Sequence, residues 1–483
     1  MRSSTFVAVW LPLLFSSCAA DANVTIPLSS RQILPDNFKP PQVFKNANLL
    51  RNINLEKSYA RETVNVVIEN IDAQAQDTYY IPFKAETIGL VGGLEVRDKK
   101  DAEKPVFRSE VVEYDPYSPT QFYRVTLPTP LAPKAQQTLS ITYHILSVLN
   151  PLPALIKQQD KQYLFHAFST YAPSVYVTQK QKTKIKFPTV DVPDYTGEPE
   201  RQGSTFTYGP YDNTPAGAEQ EASVRYEFTK PLTLATLLER DIEVSQWGGN
   251  LATEERYWLT NKGANLDGHF SRVTWAATQY YNPPSSALKM LTVPLKVGSV
   301  DPYFTDDIGN VSTSRYRSNF REAVLELKPR YPVFGGWKYS FRIGWNADLK
   351  KFLRKLAKGN GHVLKVPFLE GPKMSEGISY EKVDVRVILP EGATNVMFES
   401  PVPLVSNEII IHKTFMDTLG RTTLKLTAMN LVDEVRDRDL IVTYDYPFTA
   451  AYRKPITIFA GIVTVFLTAW GIGRLDVSIA RSS

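Results

Sequence analysis

A single cysteine, Cys18, stands among 483 residues, and it falls inside the apolar N-terminal leader. Once that leader is removed the chain carries no thiol, which excludes disulfide staples, thiolate metal ligands and cysteine nucleophiles. A large ectodomain built this way has to be held by its apolar cores. Histidine is scarce as well: His144, His166, His269, His362 and His412 are scattered, with no near pair to chelate a metal. HExxH, GxSxG, Walker and dinucleotide-binding fingerprints are all missing. Asp306 and Asp307 are adjacent, but neighbours on an extended chain point to opposite faces, so the pair suits a turn cap before Gly309 better than a cation site. No catalytic residue, metal ligand or cofactor is assigned. Spacing alone leaves open a glycosidase-like pair of carboxylates, and nothing singles one out. A charge excess is lacking too. The net charge of +5 is spread along the chain and gives no nucleic-acid surface.

Apolar residues make up 43% and aromatic residues 12%, with 34 prolines, a balance that favours packed strands and turns over long helices. Arg2, the apolar run Phe6–Phe15 and the small residues before Asp21 read as a secretory signal peptide over residues 1–20. Near the other end, Pro455 to Gly473 carries no charge and covers about 28 Å as a helix, enough to cross a bilayer. A transmembrane helix is therefore expected over residues 453–474, with a cytosolic tail at 475–483. Basic residues flank both ends of the span, so orientation follows from the cleaved leader: a type I protein with its bulk in the lumen. Within the span, Thr457, Gly461, Thr464, Thr468 and Gly471 recur on one face, a small-residue surface suited to packing against another helix in lipid.

Between these segments, alternation of period two recurs, as in Ile141/Tyr143/Ile145, Val224/Tyr226/Phe228, Tyr339/Phe341/Ile343/Trp345 and Val383/Val385/Val387. Four stretches are echoed in the same order. Arg51–Leu55 returns as Arg240–Val244, Thr138–Ile145 as Lys338–Trp345, Lys182–Pro188 as Asp384–Pro390, and Val224–Phe228 as Val442–Tyr446. The expected architecture is mainly β: two similar β-sandwich-like luminal domains, at 21–236 and 237–452 with the boundary near 231–239, followed by the single transmembrane α-helix. One helix is expected inside the second copy, over 349–358, where Leu349, Phe352, Leu353 and Leu356 follow helical spacing and lysines and arginines fill the opposite face. That basic face is either solvated or set against acidic headgroups or an acidic partner. Sequons stand at Asn23 and Asn310, the latter after a loop signal.

Six motifs of the second half and tail carry a resemblance to ribophorin I. They are Gly268–Arg272, Asp307–Thr313, Arg330–Lys338, Ile388–Ala393, Asp417–Arg421 and Arg474–Ile479. The first half matches more loosely, around Tyr59–Asn70 and Tyr79–Phe83. The short tail is similar to the fungal type, where other relatives carry a longer cytosolic extension. Glycine at 335 and 336 and the Leu419-Gly420 pair read as turn determinants rather than chemistry. The resemblance implies a non-catalytic subunit of the oligosaccharyltransferase complex in the endoplasmic reticulum membrane. That complex transfers a preassembled oligosaccharide from dolichyl pyrophosphate to Asn in Asn-x-Ser/Thr. It implies as partners the other subunits, including a multi-span catalytic one, nascent polypeptide substrates and membrane lipid. The alternative is a membrane-tethered luminal glycan-processing enzyme with an unrecognised carboxylate site.

Overall fold

The computed structural model describes residues 38–100, 106–112, 118–281, 283–414 and 417–474. The leader 1–20, Asn23 and the tail 475–483 lie outside the described residues. Strands dominate. In the first half, seven form one sheet in the spatial order Glu200–Gln202, Thr205–Thr214, Thr178–Lys186, Phe44–Asn54, Ala60–Asn70, Gln136–Ile145, Val91–Asp98. In the second half an eight-stranded sheet runs Ser406–His412, Arg421–Val432, Ser379–Ile388, Thr233–Ser245, Asn250–Asn261, Lys338–Asp348, Val300–Asp306, with Gly309–Asn310 added at the edge. The two orders correspond strand for strand up to that addition. Both place one parallel pair at the centre, with Arg51 opposite Thr183 and Arg240 opposite Val385.

Each large sheet is covered on one face by two smaller sheets lying side by side. In the first half these are Gln76–Lys84, Thr120–Leu131, Arg108–Val112 and, next to it, Asp194–Tyr195, Glu221–Glu227, Tyr163–Ser169, Asn150–Pro151. Their counterparts are Leu291–Leu295, Ala323–Leu327, Ser314–Ser318 and Thr394–Glu399, Asp439–Asp445, Gly361–Pro367, Leu353–Lys355. Alternation drives this layering, since only every second side chain faces inward. Leu49, Ile53, Val64 and Val66 are buried beneath the small sheets of the first half, and Leu238, Ile242 and Val244 beneath those of the second. The cores change over between Leu232, in the first, and Ala235, in the second.

The segment 349–358 is not a helix. A 3₁₀ turn over Leu349–Lys351 leads into the strand Leu353–Lys355, which pairs with Gly361–Pro367. The Asp348 carboxylate accepts the Lys350 N–H at 3.0 Å and fixes the turn. Leu349 and Phe352 are drawn into the second core, so the spacing that mimics a helical face is met by a turn and a strand instead. Gly336 turns the chain at φ +76°, and a Cβ on Gly335 would lie 2.0 Å from the Ala264 carbonyl oxygen, so both glycines serve backbone geometry.

The halves dock through two zones. In one, Tyr59 donates to Asp433 at 2.8 Å, Lys57 reaches Asp433 and Glu434 at 3.3 Å, and Asn430 donates to the Gly89 carbonyl at 2.7 Å. In the other, Leu155–Ile156 pairs in parallel with Asn265–Leu266, and Gln162 accepts the Ala264 N–H at 2.9 Å. The C-terminal helix, Phe448–Gly473, is long and apolar enough to cross a membrane, and its apolar window is uncovered by the rest of the chain.

Candidate functional site

Arg51 stands on the inward face of its strand, between Leu49 and Ile53, where the alternation calls for an apolar residue. It is 6% exposed and Glu62, from the next strand, is 1% exposed. The two form a bidentate pair, Arg51 Nε and Nη2 each 2.8 Å from a Glu62 oxygen. Tyr143 donates to Glu62 at 2.6 Å, and Arg51 Nη1 donates to the Ser169 carbonyl at 2.8 Å. Burial pushes the Glu62 carboxyl up, but the guanidinium and the hydrogen bonds from Arg51 and Tyr143 outweigh it and hold the group below the usual carboxylate range. Burial, together with the Glu62 charge, pushes the Tyr143 phenol well above its ordinary value.

These groups lie where the two small sheets meet, and there the sheets do not close. The apolar core of the first half is split into two clusters, Leu49 and Val64 belonging to one and Ile53 and Ala60 to the other. The gap is a cleft of about 990 Å³, within the size range of small-ligand and peptide sites. Phe83, Phe122 and Phe168 supply apolar walls, while Arg51, Glu62 and His166 supply the polar floor. His166 is 4% exposed, and neither ring nitrogen makes a hydrogen bond of good geometry. Desolvation lowers it to about 4, so the ring is neutral at physiological pH, one nitrogen a donor and the other an acceptor. The ring approaches the Val148 backbone, which leaves one nitrogen without a partner, and a buried polar group left unpaired costs about 1–3 kcal/mol.

The second half carries an arginine at the same place and pairs it with a glutamate from the neighbouring strand at a different register: Arg240 lies directly opposite Glu255, whereas Arg51 faces Val64 and Glu62 faces Ile53. Arg240 binds Glu255, Tyr257 donates to Glu255 at 2.6 Å, and Glu370 takes Arg240 Nη2 at 2.8 Å. Here the seam is shut. Trp345 and Phe352 fill it, one continuous core spans both small sheets, and only about 10 Å³ remains. Neither of these two buried sites sets up the acid chemistry of a glycosidase. Glu62 and Glu255 are both bound to arginine, and Glu62 is held in its ionised form, whereas a general acid needs a raised pKa. Among the described residues no group of three or more His, Cys, Asp or Glu side chains is arranged to hold a metal ion.

Asn310 is exposed on the hairpin strand just past the turn, opposite Thr305, and the Asp306 carboxylate closes that turn by accepting the Ile308 and Gly309 N–H groups at 3.0 Å each. Thr457, Thr464 and Thr468 donate to carbonyls of their own helix at 2.7–2.9 Å, and nothing lies within 4 Å of a Cβ added at Gly461 or Gly471. The root of that helix is tied to the second half. Lys454 contacts Asp417 at 2.7 Å, Ala450 packs on Gly392, and Glu391 accepts the Thr418 and Leu419 N–H groups at 2.9 and 2.6 Å. Burial pushes the Asp417 carboxyl up, yet Lys454, Thr414 and Arg421 hold it far below the usual range. The motifs Ile388–Ala393 and Asp417–Arg421 thus position the helix. Sequence reasoning missed both the buried pairs and the cleft, although a charge inside an inward apolar alternation, at Arg51 and at Arg240, was a signal for the pairs.

The Ribophorin I family model matches residues 44–473, through both β halves and the helix. Among curated proteins, the chain is 33% identical over 446 residues to dolichyl-diphosphooligosaccharide–protein glycosyltransferase subunit 1 of Caenorhabditis elegans, covering 90% of this chain and 73% of that one. It is 30% identical over 442 residues to the subunit 1 of Schizosaccharomyces pombe, covering 89% and 95%. To subunit 1B of Arabidopsis thaliana it is 30% identical over 460 residues, covering 92% and 96%. Likeness to the solved structure of yeast LTA4 hydrolase is 12% in identity with a TM-score of 0.29, over 42% of this chain and 33% of that one, too low to bear on fold or function.

Proposed function

This chain belongs to the ribophorin I family, and from that premise we infer its role. It is a non-catalytic subunit of the dolichyl-diphosphooligosaccharide–protein glycosyltransferase of the endoplasmic reticulum, with the other subunits of that complex as partners. The complex moves a preassembled oligosaccharide from dolichyl diphosphate to Asn in Asn-x-Ser/Thr. The observation that carries this is a match running through both halves and the apolar helix, 44–473, rather than through one module.

The finer reading has a leader at 1–20, luminal domains at 21–236 and 237–452, one span at 453–474 and a tail at 475–483 on the cytosolic side. The β halves stabilise the complex and hold unfolded nascent chains near the multi-span catalytic subunit, while the helix contacts lipid and offers its Thr457–Gly471 face to a partner helix. The tie between Lys454 and Asp417 supports this, because it couples the orientation of the span to that of the second half.

Isolation in mild detergent tests the role. The other subunits are expected to co-purify, and the chain freed of them is expected to transfer no oligosaccharide from lipid donor to acceptor peptide. Turnover by the isolated chain would overturn the non-catalytic reading.

A further inference from the structure

We propose that the cleft of the first half is a binding site for an extended, apolar-rich polypeptide segment, which adds as a strand to the open edge of Tyr163–Ser169. The proposal rests on the reading of this protein as a subunit that holds nascent chains, and it names the place.

The edge is the first observation. The partner strand Asn150–Pro151 covers only Leu164 and Phe165 of Tyr163–Ser169. On the other side, Phe228 donates to the Gln162 carbonyl and Thr170 donates to that of Gln220, so even-numbered positions bond to the Glu221–Glu227 strand. Odd-numbered positions therefore direct their N–H and C=O groups the other way. Ser169 spends its carbonyl on Arg51, and no strand among the described residues takes the groups of Ala167, which is exposed. Phe165, Ala167 and Ser169 all line the cleft. An unpaired edge beside a cavity is the geometry of strand addition, in which backbone bonds give affinity and pockets for alternate side chains give specificity.

The cavity supplies those pockets. Phe83, Phe122 and Phe168 offer apolar contact, and the buried His166 ring, which approaches the Val148 backbone, has hydrogen-bonding capacity left over among the described residues. A hydrocarbon tail would use the walls but leave the second imidazole nitrogen and the Ala167 backbone unpaired. The rim disfavours an anionic headgroup: Glu86, Glu219 and Glu221 stand against Lys39 and Lys84, and Lys84 is already engaged with Glu219 at 2.8 Å. A neutral or weakly basic peptide meets none of these penalties.

The test uses the full chain within its detergent-purified complex. The probe is a fluorescent peptide of alternating Val, Thr and Phe that lacks Asn, so the catalytic subunit has no acceptor to recognise. Binding is read by anisotropy. Ala167→Pro removes the edge N–H, and Ile145→Trp puts a bulkier side chain at a position that lines the cleft. Each is expected to weaken binding at least tenfold, with thermal unfolding and subunit recovery unchanged, while Ala167→Ser binds as wild type. Equal binding by wild type and the two weakened variants would overturn the proposal. So would displacement of the probe by dolichyl phosphate in neutral vesicles or by a free oligosaccharide, which would assign the cleft to another ligand. Loss of the other subunits from the wild-type preparation would instead contradict the family role, so the two failures are distinguishable.

Discussion

The first and second β halves place a buried arginine at the same point of equivalent sheets, each paired with a glutamate of the next strand, and then treat that point in opposite ways. In the first half the small sheets stand apart, and Arg51–Glu62 forms the floor of a cleft. In the second, Trp345 and Phe352 close the seam, and a second carboxylate, Glu370, joins Glu255 on Arg240. The two halves share a sheet order and differ in the contact between the two covering sheets. One half is a continuous core that holds the apolar C-terminal helix through Lys454 and Asp417. The other has a cavity, with His166 short of hydrogen-bond partners beside it.

The largest expected break in this comparison is Arg240→Met. It strands Glu255 and Glu370 in a sealed core, and removing one member of a buried ion pair costs about 3–5 kcal/mol. Arg51→Met leaves Glu62 beside a solvent-reachable cleft and is expected to cost less, roughly 1–3 kcal/mol. Urea unfolding of the two variants gives the ranking, and equal losses would contradict the distinction between sealed and open seams.

Acid is expected to weaken the first half and its docking surface next. His144, at the interface, and His166, in the cleft, are both lowered to about 4, chiefly by desolvation. Because the folded values lie below the unfolded value near 6.5, stability is complete above about pH 6.5 and is lost as pH falls toward 4. Each histidine contributes up to about 3 kcal/mol across that window. The strand position of His166 is held by Leu364 in the second half, so the double variant His144→Phe with His166→Phe should flatten the profile between pH 6.5 and 4.

A smaller effect is expected at the docking surface itself. A Cβ on Gly92 would sit 1.7 Å from the Asn430 carbonyl oxygen, so Gly92→Ala must push the halves apart there. A loss of about 1–3 kcal/mol is expected, with faster proteolysis between the halves and each half's own core intact.

Least disturbing to the fold are changes at the uncovered positions. Asn310→Gln should increase gel mobility by the loss of one glycan and leave unfolding unchanged. Gly461→Leu with Thr468→Leu should lower recovery of partner subunits in detergent, whereas Ile462→Leu with Phe466→Leu should not.

Much of the frame was legible because period-two alternation is a local property. The echo of Arg51–Leu55 in Arg240–Val244, taken with Lys182–Pro188 in Asp384–Pro390, reproduces the pairing register of both central parallel strands. In the segment 349–358 the local signal misled, since apolar positions three and four apart serve a 3₁₀ turn followed by a strand as well as a helix. The cleft was invisible for a different reason. Arg51, Glu62, Tyr143 and His166 come from four strands, and nothing local to any of them says that the two covering sheets stop short of each other. His166 in particular looked like one more scattered histidine.

The most direct measurement places a photo-crosslinking residue at Ala167 and, in a second chain, at Lys365, which holds the corresponding strand position in the sealed half. Both chains are assembled into the complex on microsomes that are translocating a truncated nascent polypeptide. Adducts to the nascent chain are expected from Ala167 and not from Lys365. Equal labelling from the two positions, or labelling from Lys365 alone, would contradict the assignment of chain binding to the open seam.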